Sequence, residues 1–114
     1  IVKAFRIQDK AKHTGFDWIN YQQVRDKLTE EVSEFDEAIK SKNLDRIEDE
    51  MGDLFFTLVN LSRFLKIDPE MALQRTNQKF IKRFQYIERT ATKPLSEMTI
   101  DEMESLWIEA KVKC

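Results

Sequence analysis

Residues 44–65 read LDRIEDEMGDLFFTLVNLSRFL, and this stretch decides the fold. Leu44, Ile47, Met51, Leu54, Leu58, Leu61 and Leu65 recur at steps of three and four, the repeat of one helical face. Phe55, Phe56 and Val59 widen that stripe, so the spacing predicts a helix at the centre of the core, with Asn43 as its N-cap. The same stretch contains Glu50-x-x-Asp53. Residues three apart share a helix face, so two like charges are aimed the same way and repel by roughly a few tenths of a kcal/mol.

The segment before it repeats the pattern. From Asn20 to Ser41 the apolar residues Val24, Leu28, Val32, Phe35 and Ile39 predict a second amphipathic helix, which carries Glu31-x-x-Glu34. With Leu28 at zero on a helical wheel, Glu31 falls about 60 degrees to one side of the stripe and Glu34 about 120 degrees. With Leu54 at zero, Glu50 falls about 40 degrees and Asp53 about 100 degrees in the same rotational sense. Packed antiparallel across the short Ser41 to Asn43 link, the two acidic shoulders would face one cleft. Four carboxylates around a common volume would repel strongly without a cation. Oxygen ligands with no nearby His or Cys favour Mg²⁺, with Mn²⁺ as substitute, and Mg²⁺ beside carboxylates serves substrate phosphates. The plainer reading is a pair of solvated acidic faces in a chain that is 35% charged.

Three further helices are expected. Val2 to Lys12 has sparse apolar spacing at Val2, Phe5 and Ile7, with Gly15 as a stop. Asp68-Pro69-Glu70 is a helix start, opening a segment that runs to about Thr90. Thr99-x-x-Glu102 is a capping box, opening a last helix toward Lys113 after the aperiodic, Pro94-containing stretch from Ala91 to Met98. With 114 residues and only two Gly and two Pro, the chain is expected to form a single domain over residues 1–114. The fold class is all-α: an antiparallel bundle of about five helices with a four-helix core.

Charge and cysteine usage narrow the function classes. A net charge of -2 without a basic block leaves no electrostatic footprint for duplex nucleic acid. No apolar run approaches the roughly 18 residues that span a bilayer. The lone Cys114 cannot form an intramolecular disulfide, which fits a reduced, cytoplasmic protein. The start at Ile1 without an initiator Met is expected of a piece of a longer chain. His13 lies in a polar stretch without partners for catalysis, and no Glu-x-x-His word exists, which counts against di-iron bundles. No nucleophile elbow or Gly-rich phosphate loop is present.

Glu30-Glu31-Val32-Ser33-Glu34, Glu50-Met51-Gly52-Asp53, Asn77-Gln78-Lys79-Phe80 and Arg83-Phe84 together resemble the MazG family of all-α nucleoside triphosphate pyrophosphohydrolases. Gly15-Phe16-Asp17-Trp18 and Met103-Glu104-x-x-Trp107 extend the match over nearly the whole chain, toward the second, catalytic domain of two-domain bacterial members. The resemblance implies Mg²⁺-dependent cleavage of a nucleoside triphosphate to the monophosphate and pyrophosphate. It also implies Glu31, Glu34, Glu50 and Asp53 as metal ligands and catalytic groups, with Glu30 as a secondary candidate. Arg46 stands where the family commonly has lysine and Asp49 where it tends to have Glu; both are expected nucleotide contacts.

Lys79 and Arg83 share a face of the fourth helix and suit a polyphosphate clamp, whereas Phe80 and Phe84 are expected in the core. Trp107 and Lys111 share a face of the last helix and match family positions that contact the nucleotide. The wide stripe of the third helix points to a homodimer, as does the resemblance. Alternatives are a non-catalytic helical regulatory or dimerisation module, or a related enzyme of the all-α dUTPase or phosphoribosyl-ATP type.

Overall fold

A computed structural model describes residues 1–114. The chain forms five α-helices and one short 3-10 turn, with no strand: α1 (Val2–His13), α2 (Tyr21–Ser41), α3 (Leu44–Phe64), α4 (Pro69–Thr90), the turn Leu95–Glu97, and α5 (Ile100–Lys113). The all-α class read from periodicity is the observed one. The chain divides into two compact units, Ile1–Glu70 and Met71–Cys114. No helix is long and apolar enough to cross a membrane.

The helix ends follow local chemistry. Asn20 and Asn43 are extended N-caps whose side chains accept from the backbone N–H groups of Gln23 and Arg46, satisfying donors that have no intrahelical partner. Asp68 Oδ1 accepts from Glu70 N–H at the start of α4. Thr99 and Glu102 form the reciprocal capping box of α5, and Lys93 Nζ lies 2.9 Å from Glu102 Oε2. Thr99→Ala is expected to cost about 1 kcal/mol of stability. Urea unfolding followed by far-UV circular dichroism measures it, and an unchanged midpoint would show the cap to be idle.

In the first unit α2 and α3 pack as a hairpin. Their link is two residues, Lys42 and Asn43, and Lys42 takes the left-handed conformation (φ 59°) while its N–H donates to Ile39 O. A side chain at such a position is strained relative to glycine. The buried residues of α2 are Val24, Glu31 and Ala38, seven apart, so the seam against α3 runs along that row. Val32 and Ile39, expected on the buried stripe, are exposed. The observed face is rotated by about 60 degrees toward the acidic shoulder. Ala38, whose methyl side chain is too short to hold a neighbouring helix away, is buried on that rotated face.

Three other expectations are corrected. On α1 the buried residue is Gln8, while Val2 and Ile7 are about half exposed. Gln8 is held inward because its Nε2 donates to Phe56 O of α3 at 2.8 Å, a bond between residues 48 apart in sequence. On α3, Val59 is buried, but Phe55, Phe56, Leu58 and the C-cap Leu65 stay exposed, so the wide stripe is only partly covered. In the second unit Phe80 and Phe84, expected in the core, are also exposed. They stack on each other at 6.0 Å between ring centroids, and Phe80 meets Trp107 at 5.4 Å.

Candidate metal centre

The α2–α3 seam brings three of the four motif carboxylates together. Glu31, Glu50 and Asp53 each offer an oxygen within 4.8 Å of the others, in a gradient from buried Glu31 through intermediate Glu50 to exposed Asp53. One helix contributes Glu31; the next turn-and-a-bit of α3 contributes the other two, which share a face by their three-residue spacing. The group therefore opens to solvent on its Asp53 side.

Glu31 is the anchor. Its side chain is 6% exposed, and its Oε1 lies 2.9 Å from Lys27 Nζ, one turn earlier on α2. Lys27 also reaches Glu30 at 3.6 Å. The bond to Glu31, followed by its charge, raises the Lys27 ammonium above its ordinary pKa against the opposing effect of burial. The other oxygen of Glu31, Oε2, is buried with no partner, and so is Glu50 Oε2. Orphaned buried carboxylate oxygens are costly, and two of them in one cluster are what a hard divalent cation would satisfy. The donor set thus fits Mg²⁺ or Mn²⁺.

Glu34 is exposed and outside that group of three. It is nevertheless close enough to be affected: the charge of Glu31, then desolvation, then Glu50 and Glu30 push its carboxyl above the usual range. Arg46 and Asp49, on the same helix as Glu50, are exposed.

In the second unit, two of the expected nucleotide contacts meet each other. The Arg83 guanidinium lies over the Trp107 ring at 5.7 Å from its centroid, a cation–π arrangement, and Arg83 Nε is buried without a partner. Lys79 and Lys111 are exposed. Nearby on the same pair of helices the Tyr86 hydroxyl donates to the Glu109 carboxylate, which raises the tyrosine pKa.

Sequence patterns missed two charged contacts. Lys27 was four residues before Glu31 and so was accessible to an i, i+4 rule. The pair of Arg63 with Asp17 was not, because it joins α3 to the loop before α2. Arg63 Nη2 donates to Asp17 Oδ1 at 2.6 Å and to Asn60 Oδ1 at 2.6 Å, with both charged side chains largely buried.

Comparisons with known proteins bear on the family and the fold. A family model described as the MazG nucleotide pyrophosphohydrolase domain matches residues 20–87. The chain is 42% identical over 111 residues to the nucleoside triphosphate pyrophosphohydrolase/pyrophosphatase MazG of Thermotoga maritima, covering 95% of this chain and 42% of that protein. It is 38% identical over 116 residues to the nucleoside triphosphate pyrophosphohydrolase of Escherichia coli K12, covering 97% of this chain and 44% of that protein. The chain therefore spans less than half the length of these relatives. A crystal structure of a mazG-related protein from Thermotoga maritima superposes with a TM-score of 0.73 at 21% identity, covering 98% of this chain and 99% of that one. At that identity the likeness speaks for the fold alone.

Proposed function

We infer the reaction from one premise: this chain belongs to the MazG nucleotide pyrophosphohydrolase domain family. The proposed activity is Mg²⁺-dependent hydrolysis of a nucleoside triphosphate to the nucleoside monophosphate and pyrophosphate. The observation that carries it is the cluster of Glu31, Glu50 and Asp53 with two orphaned buried oxygens. When bound there, the ion would supply charge neutralisation for the triphosphate and a more acidic water.

The protein's own groups have separable tasks. Glu31, Glu50 and Asp53 would hold the ion, and Lys27 fixes the Glu31 carboxylate through Oε1 while Oε2 has no partner. Glu34, outside the group of three, is proposed as a further ligand or as the acceptor of the proton from the attacking water. Arg46 and Asp49 are proposed as nucleotide contacts. For Lys79, Arg83, Trp107 and Lys111 the same role rests on the motif match and, for Arg83 and Trp107, on their pairing within the second unit.

The test is product analysis. With a nucleoside triphosphate and Mg²⁺, pyrophosphate is expected and orthophosphate is not; chelation abolishes release and Mn²⁺ restores it. Orthophosphate would make the protein an ordinary phosphatase, and no product would make it a non-catalytic module. A substrate panel including dUTP and phosphoribosyl-ATP separates the related enzyme types. A homodimer is also proposed, formed by a second copy covering the exposed Phe55 and Leu58 of α3 and its C-cap Leu65. Sedimentation equilibrium decides that, with Phe55→Glu expected to give monomer. The lone exposed Cys114 supports a reducing, cytoplasmic location.

A further inference from the structure

Lys27 stands among three carboxylates of its own helix. Glu30, Glu31 and Glu34 follow it at three, four and seven residues, the steps of one helical face. Its Nζ lies 2.9 Å from Glu31 Oε1 and 3.6 Å from Glu30 Oε1. No other basic side chain forms an ion pair with Glu30, Glu31, Glu34, Glu50 or Asp53. The two partners differ in depth: the Glu31 side chain is 6% exposed and that of Glu30 is 56% exposed.

Helix stability alone does not account for the inner contact. A lysine four residues before a glutamate is the weaker order of such pairs, and surface pairs contribute little in any order. A carboxylate as deep as Glu31 needs a partner, because a buried charge left unpaired is strongly destabilising. Lys27 supplies it through Oε1, while Oε2 has none. The same ammonium opposes a metal ion. With ligand distances of about 2.0–2.1 Å, a divalent ion on Glu31 would lie within roughly 7 Å of an ammonium that stayed in place. At that range the two cations repel by enough to weaken binding about tenfold even at the dielectric constant of water. Glu30 offers the ammonium a second acceptor on the same helix, farther out toward solvent.

We propose that Lys27 is the resident counter-cation of the metal-free carboxylate cluster and that it leaves Glu31 for Glu30 when the cluster is loaded. The proposal rests on the cluster being a divalent-metal centre, as in the proposed function. Lys27 is a positioning residue: it keeps the buried carboxylate paired in the metal-free chain and lowers the affinity of the cluster for the free ion. Glu30, adjacent to a ligand but outside the group of three, serves as the acceptor to which the lysine withdraws.

Mn²⁺ binding without nucleotide, read from the electron paramagnetic resonance signal of the free ion, tests this. Lys27→Met keeps the apolar stem and removes the charge, and should bind Mn²⁺ about tenfold more tightly than wild type. Metal-free, the same variant should melt about 5 °C lower, since Glu31 loses its partner. Saturating Mn²⁺ should close most of that gap, which a packing role would leave open. Glu30→Gln should weaken Mn²⁺ binding about threefold in wild type, where the lysine then has only Glu31. In a Lys27→Met background it should change binding by less than about 1.5-fold, because the charge of an exposed carboxylate is screened. Should Lys27→Met not fold, Lys27→Gln, also neutral, carries the same comparison.

Equal or weaker Mn²⁺ binding by Lys27→Met, an unshifted metal-free melt, or a gap that Mn²⁺ leaves open would each overturn the proposal while the metal centre stands. A threefold loss with Glu30→Gln in both backgrounds would overturn the withdrawal to Glu30. If neither wild type nor Lys27→Met takes up Mn²⁺, the metal centre fails and the release falls with it. The metal-free melt then still decides whether Lys27 is the counter-cation of Glu31.

Discussion

Glu50→Gln is expected to lower kcat by about a thousandfold while making the metal-free protein more stable. The loss follows from removing one of three clustered ligand groups: an ion's stabilisation of transition-state charge is worth several kcal/mol, and about 4 kcal/mol corresponds to three decades of rate. The gain follows from the same geometry with the opposite sign. Without an ion, Glu31, Glu50 and Asp53 repel, and two of their oxygens are buried without partners. A neutral amide at position 50 removes one charge and offers a donor to a neighbouring carboxylate oxygen. About 1 kcal/mol gained would raise the midpoint by roughly 4–8 °C.

Thermal melts with and without Mg²⁺, beside pyrophosphate release, separate these effects. Mg²⁺ at a hundred times its dissociation constant should stabilise the wild-type chain by about 2.7 kcal/mol, and the variant by much less. Retained Mg²⁺-dependent turnover by Glu50→Gln would sink the assignment of this residue.

Arg63→Ala is expected to destabilise the chain by about 3 kcal/mol at neutral pH, a large share of the roughly 5–15 kcal/mol that small proteins possess. Removing the guanidinium leaves Asp17 and Asn60 without their shared donor. The value sits at the lower end for broken buried pairs because the Asp17 side chain is still 19% exposed and keeps some water. Acid reveals the same contact. The Arg63 hydrogen bond holds the Asp17 carboxyl below its ordinary value of 3.8, against the opposing effect of burial.

A depressed carboxylate contributes stability that is fully present above its unfolded pKa and is lost as pH falls through its folded pKa. Asp17→Asn should therefore be less stable than wild type at pH 7, and the difference should close as the pH drops below about 4 toward the folded pKa. Urea unfolding across that range measures it. A pH-independent gap would show that the two residues act through packing instead of charge.

Helix ends and helix faces were unequally legible in the amino-acid order. Asn20, Asn43 and the Thr99–Glu102 capping box act within three residues of themselves, so their chemistry is local and the starts of α2, α3 and α5 fall where those residues stand. Which face of α2 is buried depends on what packs against it. The apolar stripe favours Val32 and Ile39, yet the contact with α3 runs along Val24, Glu31 and Ala38, so the acidic residue is buried and two larger apolar ones are not. The carboxylate spacing placed the acidic groups on one side, but not how deep each lies. Gln8 and Arg63 were silent because their partners, Phe56 and Asp17, are more than 45 residues away in sequence. Phe80 and Phe84 misled in the other direction, since helical spacing of aromatics fits an exposed stacked pair as well as a core.

The link between α2 and α3 acts as a ruler for the carboxylate cluster. Only Lys42 and Asn43 separate the helices, with Lys42 held at positive φ, so the hairpin has no slack to redistribute. One residue added to the first turn of α3 would turn the rest of that helix by about 100 degrees and advance it by about 1.5 Å, carrying Glu50 and Asp53 away from Glu31 together. The spacing of the three carboxylate oxygens, and with it the size of any cation they would admit, is thus gauged by a two-residue turn that lies two to three helical turns away from them.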